Sequence, residues 1–262
     1  MSFTMVYKTY ENDLKWLKYS LLSVNKYVED ISEIVIYYHN QCECNFLQMI
    51  DTITLKIPYR IIPVNYDYHG YIKQMVCKIM CYQDIYTEYI VIVDSDVIFN
   101  KKYSPTIKLL NNKIIWNIEC KNEFNKNEDQ YRIWEQSVIR MTKSPMDIYY
   151  MANGLPFIFK RKTLINAYNK FIELHNVNYD VFCKKHLALQ NIAITENIKN
   201  VFMQCATIFE EFEYIGWFAN NFDKDNYIFI NDQSKNTNTY KQYWSHGGIN
   251  DTIAKEIEQI LS

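Results

Sequence analysis

The run Tyr89-Ile90-Val91-Ile92-Val93, followed directly by Asp94-Ser95-Asp96, constrains this chain more than any other segment. Five consecutive β-branched or aromatic residues predict a strand buried on both faces, the kind found inside a parallel sheet covered by helices. The two acids then leave the carboxyl end of that strand, where open α/β sheets bind ligands. Carboxylates placed there repel each other and lose hydration unless something cationic neutralises them. Residues i and i+2 of an extended segment point the same way, so Asp94 and Asp96 could reach one ion. Carboxylate oxygens suit Mg²⁺ or Mn²⁺, which complete their coordination with substrate phosphates. The plainer alternative is a polar turn that caps the next element.

The flanking pattern supports a sheet with crossovers. Apolar residues run from Phe3 to Tyr7, and Asp13 to Val24 has a helical period through Leu14, Leu17, Leu21 and Leu22. Ile34–Tyr38 and Tyr59–Val64 predict strands, and Gly70 to Tyr86 predicts a helix through Ile72, Met75, Val76, Ile79 and Met80. Strands alternating with helices in this way predict an α/β domain with a mainly parallel sheet. Beyond residue 100 the order loosens. Strands are expected at Lys113–Ile118, Phe157–Phe159, Tyr227–Ile230 and Tyr240–Trp244, and helices at Glu128–Met141, Leu164–Leu174 and Thr252–Leu261. The polar stretch from Lys121 to Gln130 is expected to be a surface loop. There is no repeat and no Pro/Gly/Ser-rich linker. At ~150 residues per domain the length amounts to about 1.7 domains, and a single domain over 1–262 with an elaborated second half is the simplest account.

Composition narrows the function classes. Lys and Arg total 28 against 30 Asp and Glu, a balance that disfavours broad nucleic-acid binding. No segment approaches the ~18 consecutive apolar residues of a membrane span, and no secretory h-region precedes Lys8, Glu11 and Asp13, so a cytoplasmic protein is expected. The seven cysteines are odd in number and irregularly spaced, which suits thiols in a reducing compartment better than a disulfide framework. Gly and Pro number five each, where average usage would give about 18 and 13. The glycines that remain are therefore expected to have a backbone reason.

Three further segments carry chemistry. His246, in Tyr243-Trp244-Ser245-His246-Gly247-Gly248, offers an imidazole beside glycines whose N–H groups could approach a pyrophosphate. Phe209-Glu210-Glu211-Phe212-Glu213-Tyr214-Ile215-Gly216-Trp217 interleaves three acids with aromatics. Rings of that kind stack on a sugar, and a desolvated Glu can act as a base. If the segment is extended, Glu211 and Glu213 share a side; an amphipathic element with the acids outward is the alternative. Met151-Ala152-Asn153-Gly154-Leu155-Pro156 predicts a tight turn. Neither G-x-G-x-x-G nor G-x-x-x-x-G-K-[ST] occurs, nor do G-x-S-x-G or H-E-x-x-H, so classical dinucleotide, P-loop, hydrolase-elbow and zincin sites are excluded.

With these residues in view, the chain resembles nucleotide-sugar-dependent glycosyltransferases of the GT-A fold. The likeness lies in the apolar strand ending in DxD within the first hundred residues and in the late His-Gly, and it spans about half the chain. It implies a Rossmann-like fold with a nucleotide-binding half (1–100) and an acceptor-binding half (101–262). It implies Asp96 and His246 as ligands of Mn²⁺ or Mg²⁺, with Asp94 on the ribose or on the metal's water shell. Gln74 and Lys78, one turn apart, resemble polar residues that touch the donor. Thr9 and Tyr10 stand where the base binds; Ser95, Asn153, Gly154 and Gly247 become donor contacts, and Glu211, with Glu213 beside it, the base. The implied activity is metal-dependent transfer of a hexose from a nucleotide sugar, UDP- rather than GDP-linked by family habit, to a hydroxyl of a glycan or related acceptor. Two rivals stand beside it: a phosphohydrolase with Asp94 as nucleophile, and a catalytically silent binding member of the fold.

Overall fold

The computed structural model describes residues 1–65, 69–121, 128–151, 154–190, 204–231, 239–243, 245 and 248–262. In chain order the strands are β1 (Phe3–Thr9), β2 (Glu33–His39), β3 (Tyr59–Val64), β4 (Tyr89–Val93), β5 (Val97–Phe99), β6 (Leu109–Leu110), β7 (Lys113–Asn117), β8 (Glu119–Cys120), β9 (Ile148–Tyr149), β10 (Phe157–Lys160), β11 (Tyr227–Ile230) and β12 (Tyr240–Gln242). The helices are α1 (Leu14–Tyr27), α2 (Glu43–Ile50), α3 (Gly70–Met80), α4 (Glu128–Thr142), α5 (Arg161–His175), α6 (Tyr179–Leu189), α7 (Glu211–Phe222) and α8 (Asp251–Leu261).

The protein is mixed α/β, with a parallel-rich central sheet flanked by helices. That sheet has the order β10-β4-β1-β2-β3. β1 pairs in parallel with both β2 and β4, and β2 in parallel with β3. β10 closes the other edge antiparallel to β4, with Phe157 opposite Ile92. All five side chains of β4 are buried, as the apolar run predicts. Each contributes about 1.5–3 kcal/mol of burial, enough to dictate which strand lies inside.

The chain leaves β1 toward β2 and β3 on one side, then crosses back to place β4 on the other. Loops after β1 and β4 therefore part at the centre of the sheet and open a crevice, the position where α/β sheets take ligands. Tyr7 faces Val93 in the register, so Tyr10 and Asp13 emerge beside Asp94. The second half of the chain contributes β10 to this sheet and packs β7, β6 and β11 into a separate three-stranded one.

The sequence pattern differs from the structure in a few places. Two helices, α2 and α6, lie where no helix is expected; α2 buries only Phe46 and Ile50, too few to mark a period, whereas α6 buries Tyr179, Phe182, Cys183 and Leu187 at helical spacing, a period the sequence reading missed. Glu128 to Gln130 begin α4, as the helix expected from Glu128 requires, rather than end the loop expected from Lys121, of which 122–127 lie outside the described residues. β10 runs antiparallel, a direction that an apolar triplet cannot encode. The seven cysteines are free thiols. No helix among the described residues is long and apolar enough to cross a membrane.

Candidate active site

A cleft of about 360 Å³ opens at the crevice between β1 and β4. Its polar wall includes Tyr10, Asp13, Gln74, Lys78, Asp94, Ser95, Asp96, Glu210 and Glu211, and its apolar wall Tyr71, Met75, Trp134, Met151, Phe157 and Phe212. Residues distant in sequence thus converge on one space.

Asp94-Ser95-Asp96 forms a turn, not an extended continuation of β4. Val97 N–H donates to the Asp94 carbonyl at 3.2 Å, closing four residues before β5 begins. The turn separates the two acids, which corrects the expectation that they share one direction. Asp94 Oδ1 lies 2.6 Å from Lys78 Nζ, an ion contact off the line of a directed hydrogen bond. Asp96 turns the other way, and its Oδ2 accepts from the Ser245 backbone N–H at 3.0 Å. Its Oδ1 is buried without a hydrogen-bond partner among the described residues. Burial, then the Asp94 charge, push the Asp96 carboxyl up to about 7.

Lys78 departs most from expectation. Helical spacing puts it one turn from Gln74, on a face that reads as solvated. Instead its side chain is 4% exposed and also reaches Glu211 Oε1 at 3.2 Å. Burial works against the ammonium, but the Asp94 and Glu211 carboxylates outweigh it and raise its pKa. The cation that the strand-tip acids call for is thus supplied, for Asp94, by the protein itself.

The aromatic–acidic segment is a helix, because Glu211 onward places Phe212, Ile215 and Ala219 on one face against the core. A 100° step per residue sends Glu211 and Glu213 apart. Glu211 lines the cleft, with Lys78 on its Oε1 and the buried Glu210 carboxyl against it. Glu213 does not share that side: its oxygens accept from Tyr150 N–H at 2.9 Å and Met151 N–H at 3.0 Å. Burial pushes its carboxyl up to about 8 against the pull of those two donors. It holds the 150–151 backbone, which corrects the expectation that it shares a side with Glu211. Glu210, also buried, has its carboxyl raised well above the ordinary range by burial and by the neighbouring Glu211 and Glu213.

Of the other expected residues, Tyr10, Ser95 and Gly154 line the cleft with Gln74, whereas Thr9 is fully buried at the end of β1 and is not among the lining residues. Gly154 has φ +63° and its N–H donates to the Met151 carbonyl at 3.1 Å, the expected tight turn. Asn153, His246 and Gly247 lie outside the described residues. Asp13 was not singled out by sequence. It is the residue preceding α1, 8% exposed, and burial pushes its carboxyl up to about 6. Its only sequence signal was an acid shortly after the first strand.

Among the described residues no group of three or more His, Cys, Asp or Glu converges as a metal centre. A cation that takes one or two protein carboxylates and completes its shell with phosphate fits the bare Asp96 oxygen, not the Lys78-bound Asp94. Compared with protein-family models and with curated proteins, the chain matches none.

Proposed function

We propose that this chain is a metal-dependent glycosyltransferase of GT-A type, transferring a hexose from a UDP-linked sugar to a hydroxyl acceptor. The observation that carries the reading is one cleft, at the switch point of a parallel-rich sheet, lined by two buried acids: Asp96 at the β4 tip, whose Oδ1 has no hydrogen-bond partner among the described residues, and Glu211 at the start of α7. The first suits a cation on a diphosphate. The second suits a hydroxyl that must lose a proton.

Roles follow from the geometry. Asp96 would hold Mn²⁺ or Mg²⁺, which when bound supplies Lewis-acid stabilisation of the leaving diphosphate. The nucleoside would lie over the end of β1, where the Tyr10 ring offers a stacking face. The sugar would rest among Met75, Phe157 and Phe212, whose apolar surface complements the C–H face of a hexose. Glu211 accepts the acceptor hydroxyl proton if configuration inverts, and orients the sugar if it is retained. Gly154 keeps its strap close to the cleft through a left-handed backbone that other residues adopt at a cost. A cytosolic site of action belongs to the same proposal and rests on the free thiols.

Calorimetric titration of UDP-sugars with and without Mn²⁺ tests this reading. The expected result is binding that requires the metal, with slow release of UDP. Phosphate release without nucleotide preference would favour the phosphohydrolase instead, and no nucleotide binding would leave a silent binding protein.

A further inference from the structure

The tie between Lys78, Asp94 and Glu211 has no counterpart in the roles assigned above. Lys78 sits on α3, Asp94 ends β4 and Glu211 opens α7, so one ammonium joins three elements that are far apart in sequence. Its surroundings are dry. Lys78 and Glu211 are 4% and 3% exposed in their side chains, and the ammonium stands 5.1 Å from the centre of the Phe212 ring. A buried ammonium needs acceptors, and a buried carboxylate needs donors. Here each satisfies the other on one side only. Glu211 Oε1 takes the ammonium, and the buried Glu210 carboxyl stands against Glu211 as well, at the wall of the cleft.

A glutamate carboxyl rotates freely about its last bond unless something holds one oxygen. Asp94 adds the second anchor, because its ion contact at 2.6 Å fixes where the ammonium can stand. The sequence pattern offers another role for Lys78, contact with the donor. Burial between two carboxylates argues against that, since both would have to release the ammonium for it to reach a phosphate.

We propose that Lys78 is a positioning residue, held by Asp94, that fixes the Glu211 carboxylate in place at the cleft wall for the reacting hydroxyl. This rests on the glycosyltransferase reading for what Glu211 does, but not for the tie itself.

Two measurements on the full chain test it. The first is a denaturation cycle over wild type, Lys78→Met, Asp94→Asn and the double variant. Asp94→Asn should destabilise the wild type yet stabilise Lys78→Met, because it removes one of the acids left bare by loss of the lysine. Equal effects in both backgrounds would overturn the tie. If Lys78→Met does not fold, Lys78→Gln takes its place in the cycle, with the same change of sign expected because it too removes the cation. The second measurement is steady-state turnover of UDP-glucose, UDP-galactose and UDP-N-acetylglucosamine with Mn²⁺, read as released UDP. Lys78→Met should lower kcat by about a hundredfold with the donor KM within about threefold of wild type, as loss of alignment does. Lys78→Arg should recover part of kcat. A raised KM with unchanged kcat would overturn positioning and make Lys78 a donor contact. A wild type that turns over none of the three sugars would contradict the parent reading and remove the role of Glu211 with it. A sign change in the denaturation cycle would then show that the tie itself is real, so the two failures remain distinguishable.

Discussion

Asp94 and Asp96 are two residues apart and have opposite surroundings, and the difference decides what each can do. Asp94 spends its charge on Lys78, whereas Asp96 keeps a buried oxygen with no partner among the described residues. Asp96→Asn should therefore abolish Mn²⁺-dependent UDP binding in a titration while leaving the melting temperature within a few degrees, since it removes charge rather than core volume. Unchanged affinity would remove Asp96 from the site. Glu213 makes the opposite case. Glu213→Ala strips two backbone N–H groups of their buried acceptor and should cost roughly 2–5 kcal/mol in chemical denaturation. Glu213→Gln keeps an acceptor oxygen and should cost less. A loss of turnover without loss of stability in Glu213→Gln would restore it as a base. Much at this scale was legible in the sequence: acids ending an apolar strand, and Glu211 among aromatics. Lys78 was not. Helical spacing places a lysine on a face but does not say what packs over that face, and α7, which covers it, lies about 130 residues away.

At the scale of elements, α7 shows why the interleaved acids misled. Aromatics alternating with glutamates fit a strand or a helix, and only long-range packing chooses between them. Packing also explains Gly216, one of the scarce glycines. A Cβ there would stand 2.2 Å from Cβ and Cγ of Tyr150, a contact no side-chain shift relieves because the Tyr150 atoms sit next to its backbone. Gly216→Ala would gain about 1 kcal/mol in helix propensity and lose roughly 3 kcal/mol or more to the clash. The net expectation is a destabilised protein with Tyr150 pushed off α7, the loss of stability measured by denaturation. A stabilised variant would show that α7 and the strap pack more loosely. Strands β1 to β4 were legible because β-branched runs bounded by polar residues have one reading. β10 was legible as a strand too, but its partner and direction were not, because pairing across 65 or more residues leaves no local mark.

For the whole molecule, the buried acids make stability depend on pH. Asp13, Asp96 and Glu213 are raised from ordinary values of 3.8, 3.8 and 4.5 to about 6, 7 and 8, each chiefly by burial. The folded form then binds more protons than the unfolded one across that interval. Stability contributed by the neutral forms is fully present near pH 4 and is lost as pH rises toward 8, the reverse of a salt-bridged carboxylate. Melting temperatures of metal-free protein should therefore fall across this window. A rise across it would mean that these groups are ionised when folded. The same electrostatics underlie the proposed function, because a divalent cation at Asp96 turns an unfavourable buried charge into a ligand. The most direct measurement is diffraction from crystals soaked with UDP and manganese, collected at a wavelength where manganese scatters anomalously. The account predicts one anomalous peak within bonding distance of Asp96 Oδ1, bridging it to the UDP diphosphate, with Lys78 still between Asp94 and Glu211. Nucleotide bound away from the β1–β4 crevice, or an anomalous peak with no contact to Asp96, would contradict it.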